Sequence, residues 1–100
     1  MDVLASRLLL RPGDFDRSRS FYVDVLGLAV FREWGGPVPG VVLYTGAGLL
    51  ELSGNATEPP SSATRLLLQV RDVGSEHRRL EALGVRIDEE PETKPWASSR

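Results

Sequence analysis

RLLLRPGDFDRSRSFYVDVLG, residues 7–27, decides the fold once it is set beside RLLLQVRDVGSEHRRLEALG, residues 65–84. Each stretch opens on an arginine and three leucines, Arg7 to Leu10 and Arg65 to Leu68, passes through an aspartate, Asp14 and Asp72, and closes on Leu26-Gly27 and Leu83-Gly84. The tetrapeptide and the aspartate recur at an offset of 58 and the Leu-Gly pair at 57, so one deletion aligns the copies. A leucine-rich tetrapeptide can repeat by chance. Three landmarks at matched spacing indicate two copies of one supersecondary unit.

In the first copy, residues 4–11 are expected to form a strand, ended by Pro12-Gly13 because proline offers no N–H to a ladder. Alternation then puts Arg7, Leu9 and Arg11 on one face, with Leu8 and Leu10 on the other. Asp14 or Asp16 caps a helix reaching Leu26, with Ser18, Phe21, Tyr22, Val25 and Leu26 along its inner stripe and Gly27 closing it. Strands are expected at 28–34, 41–44 and 49–53, with Gly35-Gly36 and Gly46-Ala47-Gly48 as turns rather than phosphate loops, since no Lys-Ser/Thr follows. The first unit, 4–53, is therefore βαβββ.

Residues 54–64, containing Pro59-Pro60-Ser61-Ser62, form a linker almost without apolar side chains. Unit two, 65–100, repeats the pattern with a strand at 65–70 and a helix capped by Asp72 or Ser75. Val73, Glu76 or His77, Leu80 and Leu83 point inward, Gly84 ends the helix, and a strand follows at 85–88. Too few residues then remain for two more strands. The expectation is an incomplete second unit, either truncated or a short form whose open edge is covered by a second copy in a homodimer.

At 100 residues the chain can bury one modest core and makes one domain. The net charge is −2 and the longest basic block is Arg78-Arg79, which excludes the electrostatic footprint of a nucleic-acid binder. No apolar run approaches the ~20 residues of a membrane span. The absence of cysteine rules out disulfides, thiolate ligands and a Cys nucleophile, and suits a cytoplasmic setting.

Asp14, Arg17-Ser18, Phe21-Tyr22 and Leu26-Gly27, within tandem βαβββ units and followed by GLLELSG at residues 48–54, resemble the vicinal oxygen chelate superfamily. That family includes glyoxalase I, bleomycin and fosfomycin resistance proteins and extradiol dioxygenases. The resemblance implies an α+β fold in which the sheet curls into a concave cup with the helices on its convex side. It also implies metal ligands on the first and last strands of each unit. Here the two first-strand positions, usually His, are Arg7 and Arg65; Glu51 matches the acidic ligand, and the fourth position falls beyond Arg100. A guanidinium carries donors only and keeps its proton, so it cannot ligate a cation.

The expectation is a metal-free cup without cofactor, biased toward anionic small molecules. It would be lined by Arg7, Arg65, Glu51 and Arg11 with Trp34, Tyr44 and Trp96 as aromatic walls. An Arg7-Glu51-Arg65 cluster of this kind would also serve as a structural plug of the cup floor. Its positive balance disfavours a bleomycin-like cation. Glu51 is a candidate general base, weakened by flanking arginines that favour its charged form. The alternatives are a metal-dependent lyase, isomerase or dioxygenase of the same superfamily, and a truncated dimer subunit that binds nothing. His77, the one histidine, sits on the second helix and is read as a surface or half-buried residue.

Overall fold

The computed structural model describes residues 1–57 and 65–86; expectations that fall on 58–64 and 87–100, Trp96 among them, lie outside the described residues. The chain divides into two units, Met1–Arg65 and Leu66–Arg100. In the first, β1 (Leu8–Leu10) is followed by α1 (Phe15–Ser20), a π-helical turn (Phe21–Val25), β2 (Val30–Trp34), β3 (Gly40–Thr45) and β4 (Gly48–Ser53). The strands form one open sheet in the order β1-β4-β3-β2, with β1 parallel to β4 and the other pairs antiparallel. This is a mixed sheet in an α+β fold. The expected first strand shortens from 4–11 to three residues, because β4 supplies ladder partners only for Leu8 to Leu10.

The one-residue difference between the copies has a structural form. Both helices start on an aspartate with nearly the same backbone: φ −135°, ψ 100° at Asp14, and φ −136°, ψ 97° at Asp72. The Asp14 carboxylate accepts from the Arg17 N–H at 3.2 Å and that of Asp72 from the Ser75 N–H at 3.0 Å, each satisfying a donor that a helix start leaves open. Both helical segments are followed by glycine at positive φ, Gly27 at 78° and Gly84 at 84°, as the left-handed exit requires. Between these fixed ends the second unit has a regular α-helix, whereas the first has the π turn, closed by the Leu26 N–H donating to the Phe21 carbonyl at 2.9 Å. An i→i+5 turn holds one residue more than an α turn, so the extra residue is absorbed without displacing either end.

Among the described residues, Phe15, Val41, Val42, Leu43, Leu50 and Leu52 are the buried apolar ones. Register and alternation put Val41, Leu43, Leu50 and Leu52 on one sheet face with Leu8 and Leu10. This face is backed by α1, whose Phe15 is buried and whose first N–H donates to the Asn55 side-chain oxygen at 2.8 Å, tying the helix start to the residues after β4. A bulge interrupts β2 between Val30 and Arg32. It advances the alternation by one residue, so Glu33 lies on the helix side, where Arg19 of α1 grips it through Nε and Nη2 at 2.8 and 2.9 Å.

In the second unit α2 spans Val73–Ala82, with a Glu76–Arg79 ion pair at 2.8 Å. Three expectations need correction. Residues 65–70 form no strand, since a strand exists only through hydrogen bonds to a neighbour and no ladder forms there among the described residues. Val85 and Arg86 likewise lie outside any strand, while residues 87 and 88 are beyond the described residues. Val73 and Leu83, expected to point inward, are exposed; Leu80 and His77 are half-buried.

Candidate functional site

The sheet face away from α1 carries the chemistry. Cross-strand pairing arranges it in rows. One row runs Leu9, Glu51, Val42, Arg32; the next toward the C-terminal end of β1 ends on Ser53, Gly40 and Trp34. On the other side, Leu49 pairs with Tyr44, and Arg7, one residue before β1, extends this row at the opposite edge. Arg11, one residue past β1, continues the alternation of Arg7 and Leu9 and is exposed.

Arg7 Nε lies 2.9 Å from Glu51 Oε1, with the arginine side chain 45% exposed and the glutamate 14%. The pair is asymmetric: a largely enclosed carboxylate is neutralised by a guanidinium that has five donors and is open to an approaching anion. At the far edge the β2 bulge turns Arg32 and Trp34 onto this face. The Arg32 guanidinium carbon sits 5.3 Å from the Trp34 ring centre, while the indole N–H donates to the Val38 carbonyl at 3.1 Å. The indole also lies across Gly40, where any Cβ would collide with the ring. Phe31, the bulged residue, meets Tyr44 edge to face at 5.3 Å.

Of the residues expected at a site, the structure brings together Arg7 and Glu51 and places Trp34 and Tyr44 on the same face, while Arg11 is exposed one residue past β1. Arg65 is exposed and outside any strand. Among the described residues no second guanidinium joins Glu51 in an ion pair, so the three-membered Arg7-Glu51-Arg65 cluster does not form there. A strand at 65–70 was the device that would have aimed Arg65. Sequence reasoning missed Arg32, because unbroken alternation along β2 would separate it from Tyr44's face; only the bulge reverses that.

A divalent ion of the kind the family resemblance implies does not fit these residues. Among the described residues no three His, Asp or Glu side chains converge, and the carboxylate in the expected ligand position already faces a guanidinium, which has no lone pair to give.

An open mixed sheet of four strands backed by a helix on one face, with opposed charges on the other, places the chain in the α+β class. The chain belongs to the Glyoxalase/Bleomycin resistance protein/Dioxygenase superfamily, whose sequence profile matches residues 5–100. It is 31% identical to the trypanothione-dependent glyoxalase I of Leishmania major, with a TM-score of 0.70 over 86% of this chain and 70% of that one. A glyoxalase/bleomycin resistance protein from Streptomyces sp. CB03234 is 26% identical, with a TM-score of 0.72 over 92% and 83% of the two chains. A glyoxalase/bleomycin resistance protein/dioxygenase from Nocardioides shares the fold at 20% identity, with a TM-score of 0.69 over 96% of this chain and 72% of that one. No curated protein matches.

Proposed function

We propose that this chain is a small-molecule-binding protein of the glyoxalase/bleomycin resistance type, working without a metal and favouring anionic ligands. The Arg7–Glu51 pair carries this reading, because it puts a permanent cation where the resemblance implies an imidazole. The charge on the open face adds to it: Arg7, Arg11 and Arg32 stand against Glu51, a surplus of guanidinium that attracts carboxylates and phosphates. Inorganic phosphate and acetate should raise the melting temperature in proportion to RT ln(1 + [L]/Kd), and choline should not. Equal shifts by anion and cation would defeat the anionic bias.

A second reading, a metal-dependent lyase or isomerase, is favoured by the 31% identity to a glyoxalase I. Metal analysis of the purified protein separates the two, since a stoichiometric transition metal would reverse the preference. The working form is proposed as a cytoplasmic homodimer: absent cysteines suit a reducing compartment, and a second copy would cover the sheet edge at β1.

A further inference from the structure

We propose that the ligand class is an aromatic carboxylate, its ring seated on Leu49 and Tyr44 and its carboxylate on Arg7. The inference rests on the anion-binding reading above and adds the apolar half of the ligand. The row that begins with Arg7 continues through Leu49 to Tyr44, two strand spacings or roughly 10 Å. Along it the surface changes from guanidinium to aliphatic to aromatic, the order of groups along an aryl acid. Tyr44 is 45% exposed and Phe31 50%, so the edge-to-face pair presents a rigid aromatic wall to solvent rather than filling the core. Leu49, between Arg7 and Tyr44, is half-buried.

The neighbouring rows do not offer this. Val42 is fully buried and Gly40 lies beneath Trp34, whose N–H is already committed to Val38. The exposed strip that suits a flat ring is therefore the row of Leu49 and Tyr44 next to Arg7. The carboxylate would share the guanidinium with Glu51, whose Oε1 lies 2.9 Å from Nε, since a fork of five donors can serve more than one acceptor.

The test is calorimetric titration of the full chain with benzoate, phenylacetate, cyclohexanecarboxylate, acetate and benzyl alcohol. The aryl acids are expected to bind most tightly, roughly two- to tenfold better than the saturated ring. Benzyl alcohol, which lacks the charge, should bind roughly tenfold or more weakly than benzoate. Tyr44→Leu should remove the aryl preference, and Arg7→Gln should remove the preference for benzoate over benzyl alcohol. Should Arg7→Gln fail to fold, Arg7→Lys, which keeps the charge and loses the fork, should weaken benzoate instead. If acetate and all three ring acids bind alike, the aromatic class is wrong and the anion reading stands. If benzyl alcohol matches benzoate, or no probe binds, both fail.

Discussion

At the scale of single residues, the Arg7–Glu51 pair has consequences for stability as well as binding. Glu51 is largely enclosed, so removing its partner strands a carboxylate. Arg7→Leu is expected to cost about 1–3 kcal/mol by urea denaturation, and adding Glu51→Leu should recover most of that loss, because an apolar pair of similar shape carries no unpaired charge. A double variant no more stable than the single would show that the pair matters for something other than burial. Gly40→Ala is predicted to cost about 1–3 kcal/mol by the same measurement, since the new methyl would meet the Trp34 indole and force it off Val38.

The Arg19–Glu33 pair ties pH to the same scale. Arg19's hydrogen bonds hold the Glu33 carboxyl below its ordinary value of 4.5, and the reciprocal bond raises Arg19. A depressed carboxyl stabilises the fold above its unfolded pKa and loses that contribution as pH falls through the folded one. The fold should therefore weaken slightly in acid below pH 4.5, and Glu33→Gln should flatten that slope. Both side chains are on the surface, so the effect is small. Identical acid profiles for the two proteins would remove the pair from the account.

The helices and the bulged strand matter at the scale of elements. Asp14→Ala and Asp72→Ala each remove one capping acceptor with matching geometry, and each is expected to cost about 1 kcal/mol of its own helix. Hydrogen exchange can distinguish them: faster exchange of the Arg17 amide in one variant and the Ser75 amide in the other. The periodicity of the sequence captured both helices and their glycine ends, because capping and exit chemistry are local. It did not reveal that the first helix would widen into a π turn, although the mismatch between offsets 58 and 57 announced an extra residue. Similarly, an alternation read along residues 28–34 has no means of detecting a bulge, which is defined by what β3 does opposite it.

At the scale of the whole molecule, stability rests on a few side chains. Leu43 and Leu50 are fully buried opposite one another on the helix-backed face of adjacent strands, so Leu50→Ala should cost about 2–5 kcal/mol and lower the urea midpoint accordingly. An unchanged midpoint would mean that this sheet is not the cooperative core. Sizing in solution addresses the homodimer: a mass near 22 kDa is expected, twice the 11.0 kDa chain, and a monomer would withdraw it.

By itself the sequence determined what depends on near neighbours: a polar cap at the start of each helix, the glycine exits, the βαβββ succession of elements in residues 4–53 and, at Arg7, a cation where the resemblance implies an imidazole. Only the tertiary structure decided which arginines share a face with Glu51. A guanidinium's partner is chosen by strand register, and register is set by hydrogen bonds between segments far apart in the chain. A bulge brought Arg32 onto that face, and a segment without a ladder left Arg65 outside the sheet.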